Sequence, residues 1–116
     1  MKNTIDLESI RQELQQYESR LISFRKTIHE NPEVGFNTQN TLARIKSLLE
    51  EFGIKGLDTE TSPGSGFLLI EGNKPGATIA LRADIDALPI EEKTGCAWAS
   101  KNGSAHSCGH DGHQTW

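Results

Sequence analysis

The stretch FLLIEGNKPGATIALRADID, residues 67–86, decides the class of fold that this chain adopts. Residues 67–70 and 78–81 are short apolar runs typical of β-strands, and residues 73–76 between them have the composition of a turn. The first run is apolar on both faces, which predicts a central strand in a covered sheet. The sequence therefore predicts two strands connected by a turn.

An amphipathic helix is predicted upstream of these strands. Its apolar residues lie four and three positions apart on one stripe, at Ile10, Leu14, Tyr17, Leu21, Phe24 and Ile28. Pro32 should end this helix, because its ring disfavours a helical conformation at Asn31. The same spacing fits a coiled coil, but the stripe is short for one, so a helix packed on a core is favoured.

A second amphipathic helix follows the first. Its apolar positions are Leu42, Ile45, Leu48, Leu49 and Phe52. Asn37 or Thr38 can cap its start, and Gly53 is placed to end it in a left-handed conformation, with Ile54 closing over the last turn. Two helices followed by strands predict an α/β fold that is incomplete. No repeat or linker divides residues 1–116 into further domains.

The composition excludes several classes of protein. The 116 residues are 34% hydrophobic and carry a formal net charge of −4, which fits one acidic domain with a modest core. No apolar run is longer than the four residues at 67–70, which is far shorter than the ~18 residues of a membrane span. An acidic chain without a Lys/Arg cluster also argues against nucleic acid and membrane surfaces as partners.

The amino-terminal residues and the cysteines bear on location. Residues 1–6 lead into a polar helical pattern without the apolar core of a signal peptide, so a cytoplasmic protein is expected. In that compartment Cys96 and Cys108 are expected to be reduced thiols rather than a disulfide.

Two aspartates follow directly after the second predicted strand. Because alternate side chains of an extended segment point to the same face, Asp84 and Asp86 should lie on one side, beyond the carboxyl end of a strand. That is where α/β sheets usually hold their sites. On spacing alone, an equally good interpretation is that they cap or solvate a loop closed by Pro89.

The segment HSCGHDGH, residues 106–113, holds three of the chain's four histidines and one of its two cysteines. In an extended segment His106, Cys108 and His110 would project to one side, and Gly109 and Gly112 would let the backbone approach what they hold. A thiolate and imidazoles bind borderline-soft divalent metals.

Carboxylates near this segment can complete or support a metal site. Asp84, Asp86 or Asp111 could add ligands or orient the imidazoles. Three other interpretations stay open: a disordered His-rich tail, a Cys96–Cys108 disulfide, and a small structural zinc site. Metal binding is favoured over all three.

Four motifs together resemble a known family. They are LRADIDALPI at 81–90, CGHDGH at 108–113, RKTIHENPEVGF at 25–36 and EEKTG at 91–95. Their order is similar to that in the amidohydrolase branch of the aminoacylase and carboxypeptidase metallopeptidases. This branch includes hippurate hydrolases, bacterial N-acyl-amino-acid amidohydrolases and plant hydrolases of auxin conjugates. The resemblance implies the amino-terminal portion of a zinc-peptidase-like catalytic domain.

The resemblance also implies roles for individual residues. Cys108 corresponds to a thiolate that bridges two metal ions, His110 to an imidazole ligand, and Asp86 to the acid beside the metals. Asp84 stands where related carboxypeptidases carry a histidine ligand. His113, with His106 and Asp111, is expected to support the site without binding metal.

One histidine lies outside the carboxyl-terminal motif. His29 is expected to fix the turn after the first helix, and an approach to the site is the alternative.

The implied reaction is metal-dependent hydrolysis of the amide in small, hippurate-like N-acyl amino acids, with two ions of manganese, zinc, cobalt or nickel. The resemblance places the general-base glutamate, further ligands and a lid and dimerisation domain after residue 116. The leading hypothesis is therefore a truncated, inactive fragment, with homo-oligomers expected only of a longer form. The alternative is a small non-catalytic metal-binding module that uses His106, Cys108, His110 and His113.

Overall fold

Helices form the first half of the chain, and a β-hairpin follows them. The computed structural model describes residues 5–62, 64–70 and 72–116. Its elements are α1 (Leu7–Gln15), α2 (Glu18–Glu30), α3 (Gln39–Glu51), β1 (Leu57–Ser62), β2 (Ser65–Leu69) and α4 (His110–His113). Helices and an antiparallel hairpin agree with part of an α/β domain.

The first predicted helix is two helices. Gln16 N–H donates to Glu13 O at 3.2 Å and Tyr17 N–H to Leu14 O at 3.0 Å, three residues back rather than four, so the helix tightens and breaks. The prediction of one continuous helix from Ile10 was therefore wrong. No residue of α1 is buried, so no packing against the core holds α1 in line with α2.

The core lies between α2 and α3. Phe24 and Ile28 of α2 pack with Leu48 of α3, and Leu21, Ile45 and Phe52 close its edges. Helix α2 ends at Glu30, as the Asn31-Pro32 step predicts. These contacts confirm both amphipathic stripes from Leu21 onward.

Helix α3 is capped from a distance. Thr38 occupies the N-cap position, but its hydroxyl donates to Gly64 O at 2.6 Å instead of capping the helix. Glu33 takes over this role: its carboxylate accepts from the backbone N–H of Thr41 at 2.5 Å and of Asn40 at 3.4 Å. The start of α3 is thereby tied to the end of α2.

The end of α3 matches the prediction. Gly53 has a φ of +72°, and Ile54 N–H donates to Leu49 O at 2.9 Å. This is the bond that a left-handed glycine cap forms with the last turn.

The strands differ from the prediction. β2 contains most of the predicted run 67–70, and it pairs antiparallel with β1, which the sequence analysis did not find. Among the described residues, no strand pairs with the other edge of β2. The prediction of a central strand in a covered sheet was therefore wrong. The turn predicted at 73–76 connects no strands among the described residues, because residues 78–81 form no strand there.

That second strand, predicted at 78–81, has no partner in the described part of the chain. Its large side chains face solvent, with Ile79 85% and Leu81 96% exposed. Apolar sequence alone does not make a strand, because a strand also needs a neighbour to satisfy its backbone hydrogen bonds.

Two isolated bridges position the carboxyl-terminal third. Ala87 N–H donates to Glu33 O at 2.7 Å, and Leu88 and Ala105 exchange backbone bonds of 3.0 and 2.9 Å. These bonds bring the 84–86 segment and the start of the 106–113 motif against the end of α2. No helix in the described ranges is long and apolar enough to cross a membrane.

Candidate metal centre

His110 is the first residue of α4, and two aspartates approach its ring. Its Nδ1 lies 2.8 Å from the carbonyl oxygen of Asp86 and 2.9 Å from that residue's Oδ1. Both are acceptors, so Nδ1 carries the proton, and the lone pair of the neutral ring lies on Nε2. On that side, Oδ2 of Asp84 lies 4.0 Å from Nε2. The two aspartates therefore share one side of the segment, as their spacing predicts.

Glycine allows the turn that presents His110. Gly109 has a φ of +80°, and α4 begins directly after it. The segment is therefore a turn followed by a helix, and the prediction that His106, Cys108 and His110 project from one extended face was wrong. Left-handed backbone at Gly109 reverses the direction of the chain between them.

The other motif residues lie in different surroundings. Cys108 is an exposed free thiol, and Cys96 is a partly buried free thiol. His106 is buried, with neither ring nitrogen hydrogen-bonded among the described residues. His113 is exposed, and its ring lies 5.6 Å from that of His110. Burial of His106 lowers the pKa of its ring, which favours the neutral imidazole.

Asp111 faces α2 rather than the aspartates that approach His110. It is 1% exposed, and its Oδ2 accepts from His29 Nδ1 at 2.9 Å and from Arg25 Nε at 3.3 Å. Burial opposes its ionisation, but these contacts outweigh burial and lower the pKa of Asp111. The ionised carboxylate of Asp111 therefore links α4 to α2 through its contacts with His29 and Arg25.

His29 contacts a second carboxylate with its other nitrogen. Its Nε2 lies 2.9 Å from Oε1 of Glu92. Burial alone would lower the pKa of His29, but its hydrogen bonds to Glu92 and Asp111 raise it above the usual value. His29 therefore crosslinks the 92 and 111 segments rather than only the turn after α2.

Glu92 is the residue of this region that the sequence analysis did not single out for a role. Its Oε1 accepts from Thr94 Oγ1 at 2.5 Å and from His29, and its Oε2 accepts from Ser100 N–H at 2.6 Å. These hydrogen bonds, that of Thr94 first, lower the pKa of Glu92 to about 2. The EEKTG motif is the sequence feature that could have indicated a role for Glu92, since it contains both Glu92 and its partner Thr94.

The four-residue set of the alternative hypothesis does not converge. In the described part of the chain, the group of His, Cys, Asp and Glu residues with donor atoms all within 4.8 Å of one another is His29, Glu92 and Cys96. His106, Cys108, His110 and His113 do not form such a group.

The chemistry of His110 and its neighbours fits a divalent metal. An imidazole whose Nδ1–H is held by a carboxylate is the usual arrangement of a metal-binding histidine. An exposed thiol lies two residues away at Cys108, and the carboxylate of Asp84 faces the other ring nitrogen, Nε2, at 4.0 Å. Thiolate, imidazole and carboxylate donors are those that zinc and its neighbours accept.

Comparisons with known proteins point to the same chemistry. Residues 80–116 match the sequence pattern of the peptidase family M20/M25/M40. The chain is 47% identical over 111 residues to N-acetyl-L-cysteine deacetylase of Bacillus subtilis strain 168. It is 39% identical over 108 residues to thermostable carboxypeptidase 2 of Saccharolobus solfataricus. These alignments cover 95% and 92% of this chain but 26% and 28% of the relatives.

A solved structure shares the fold. The crystal structure of the Bacillus subtilis YXEP protein, described as a dinuclear metal-binding peptidase of the M20 family, matches with a TM-score of 0.77 and 38% identity. The match covers 87% of this chain and 28% of that one. The chain thus resembles M20 peptidases, with the family pattern matched at residues 80–116, and it spans about a quarter of the length of the curated relatives it matches. The resemblance to amidohydrolases and the α/β fold class are thereby confirmed.

Proposed function

We propose that these 116 residues are the amino-terminal part of the catalytic domain of a metal-dependent hydrolase of N-acyl amino acids. The observation that carries the proposal is the orientation of the His110 ring. Asp86 accepts a hydrogen bond from Nδ1 of His110, and Nε2 of His110 faces Asp84. In this proposal Cys108 and His110 bind metal, and Asp86 orients His110.

The chemistry follows from these groups. Two divalent ions, when bound, make a water molecule nucleophilic near neutral pH and polarise the carbonyl of the amide. Asp86 keeps the Nδ1–H tautomer of His110, so Nε2 stays a lone-pair donor. Asp111, His113 and His106 bind no metal in this proposal, and Asp111 instead fixes the helix that begins at His110.

The substrate class follows from the names of the relatives. A deacetylase of N-acetyl-L-cysteine and a carboxypeptidase both cleave an amide whose amino side belongs to an amino acid. An N-acyl amino acid, such as hippurate, is the smallest substrate that contains this unit. The acyl group and the preferred ion among manganese, zinc, cobalt and nickel are the variables of the chimera experiment.

The chain alone is proposed to be inactive. It spans about a quarter of its relatives, and within it we assign only Cys108 and His110 as ligands and no general base. A catalytic site needs about three protein ligands and an open position. The lid and dimer contact are likewise assigned to a longer form.

The cellular location is proposed from the cysteines: the two free thiols favour a reducing, cytoplasmic location.

A chimera tests the function. The quarter of the B. subtilis N-acetyl-L-cysteine deacetylase that aligns with this chain is replaced by the present residues. The chimera is stripped of metal, reloaded with each ion in turn, and assayed on hippurate and N-acetyl amino acids. We expect metal-dependent turnover that Cys108→Ala and His110→Ala each reduce by at least about 100-fold, since ligand loss should cost no less than loss of an outer-shell partner.

The matched control is Ser107→Ala, in the same exposed turn as Cys108. It should retain the activity of the parent chimera. A well-folded chimera with Cys108 and His110 intact but no turnover under any metal would contradict the proposed function. Turnover by the 116 residues alone, lost in Cys108→Ala, would contradict the proposed inactivity of the chain.

A further inference from the structure

A second group of metal-binding side chains lies outside the site built on Cys108 and His110. Three donors come close together: Nε2 of His29 at the end of α2, a carboxylate oxygen of Glu92, and Sγ of Cys96. The distances to Glu92 Oε1 are 2.9 Å from His29 Nε2 and 3.8 Å from Cys96 Sγ. Bonds of about 2.0–2.3 Å to a tetrahedral zinc separate its ligands by roughly 3.3–3.7 Å, so small side-chain movements suffice.

Three hydrogen-bond donors converge on one carboxylate oxygen of this group. Oε1 of Glu92 accepts from His29, Thr94 and Cys96 together. Its other oxygen accepts from the backbone N–H of Ser100, which holds the carboxylate in place. A cation between His29, Glu92 and Cys96 would replace two of these donors at an already fixed carboxylate.

The hydrogen bond at Nδ1 of His29, on the side of the ring away from Glu92, is also typical of a metal site. Nδ1 of His29 lies 2.9 Å from the buried carboxylate of Asp111, so that nitrogen keeps its proton, and Nε2 is the atom that faces Glu92 and Cys96. A carboxylate behind a histidine fixes the tautomer and strengthens the imidazole as a ligand.

Access and selectivity favour one class of ion. Cys96 is a free, partly buried thiol, so an ion can reach the group from solvent. A mixed set of one sulfur, one nitrogen and one oxygen suits a borderline-soft ion and is unsuited to magnesium or calcium. We infer that His29, Glu92 and Cys96 form a second divalent-metal site, selective for Zn²⁺ and similar ions, that shares no ligand with Cys108 and His110. With three protein ligands, it keeps an open fourth position.

A zinc titration of the 116-residue chain tests this inference. Metal-free protein competes with a chromophoric chelator for Zn²⁺, and the unmodified chain is compared with Cys96→Ala and Cys108→Ala. We expect Cys96→Ala to weaken the tightest Zn²⁺ site by at least about tenfold. Cys108→Ala should change that site by less than about twofold. Equal affinity in Cys96→Ala, or loss of the tight site in Cys108→Ala, would overturn the inference.

A second measurement uses the unmodified chain and so does not depend on the folding of a variant. Iodoacetamide alkylation of the two cysteines is followed by mass spectrometry with and without one equivalent of Zn²⁺. Cys96 should be protected by at least about tenfold more than the exposed Cys108, because a zinc-bound thiolate reacts slowly. Protection of Cys108 alone, or of neither thiol, would show that Cys96 binds no zinc. Since the chimera assay depends on Cys108 and His110, the two proposals fail independently.

Discussion

At the residue scale, the ring of His29 crosslinks two segments that are distant in the sequence. It lies between two carboxylates that are 63 and 82 residues further along the chain, Glu92 and Asp111. Arg25, one turn earlier on the same helix, contacts Asp111 as well. One helix face thus holds both the loop at 92 and the helix that begins with His110.

The raised pKa of His29 makes this crosslink dependent on pH. Burial opposes the protonated ring, but its hydrogen bonds to Glu92 and Asp111 outweigh burial, so the folded protein favours the protonated form. Its contribution to stability is therefore complete below the unfolded pKa near 6.5 and is lost as pH rises through the higher folded pKa.

His29→Gln should remove this contribution. At pH 6 we expect the free energy of unfolding to fall by roughly 1.5–3 kcal/mol, the usual range for hydrogen bonds to charged groups. The deficit should shrink as pH rises toward 9. Urea unfolding of both proteins across this range, with a chelator present to exclude metal, measures it. A deficit of the same size at pH 6 and pH 9 would contradict the protonated crosslink.

At the element scale, α4 depends on one glycine. Gly109 is left-handed, with a φ of +80°, and any side chain there would favour a different backbone and move His110. Gly109→Ala should cost about 1–2 kcal/mol, the penalty of a left-handed non-glycine residue. Gly112→Ala is the matched control, because an added Cβ meets only Arg25 Nε at 3.9 Å.

Chemical denaturation of the two alanine variants distinguishes them. Gly112→Ala should be close to neutral or slightly stabilising, since alanine is the better helix former. Equal destabilisation of both variants would mean that the conformation of Gly109 does not matter to α4.

The cap of α3 gives a second test at this scale. The carboxylate of Glu33 accepts the N–H groups of Asn40 and Thr41 and the hydroxyl of Thr41. Glu33→Gln should cost about 0.5–2 kcal/mol, the usual range for a lost cap. Glu50→Gln, on the exposed side of the last turn of the same helix, is the control. Unfolding midpoints that shift equally in both variants would argue against a capping role.

The pH dependence of that cap follows from its cause. Burial alone would raise the pKa of Glu33, but hydrogen bonds from Thr41 and Asn40 outweigh it and lower the pKa. Glu33 therefore stabilises the fold above its usual pKa of 4.5, and this contribution is lost as pH falls through the lower folded value.

How far the sequence predicts these elements depends on the range of the interactions. The period of α2 and α3 and the cap at Gly53 are local, and the structure has them as predicted. The helix breaks at Gln16, and no residue of α1 is buried, which the apolar period alone did not predict. Residues 78–81 have the composition of a strand but no partner in the described chain.

Predictions of the metal-binding side chains also depend on how far apart the interacting residues lie in the sequence. The spacing of Asp84 and Asp86 placed both near one imidazole, because only two residues separate them. The group of His29, Glu92 and Cys96 was not found, since its members come from segments 63 residues apart. Pairing over such a sequence distance is set by the tertiary fold, and the EEKTG motif alone indicates no partner for Glu92.

At the scale of the whole molecule, apolar surface around the unpaired 78–81 segment should control solubility. Leu81 and Ile79 are among the most exposed large apolar side chains of the described chain, in a segment that pairs with no strand among the described residues. Exposed apolar segments with free backbone groups pair readily with other chains. The 116-residue chain is therefore expected to self-associate at micromolar concentrations and to bind a hydrophobic dye.

Leu81→Lys should reduce both effects, because a lysine on an unpaired segment opposes its pairing with a second copy. Ile5→Lys is the matched control. It adds the same charge at an exposed apolar residue outside this segment, since Ile5 is 69% exposed. Sedimentation velocity and dye fluorescence measure the two effects. If Ile5→Lys restored solubility as well as Leu81→Lys, net charge rather than the 78–81 segment would control association. A monodisperse parent chain would show that the exposed segment is harmless.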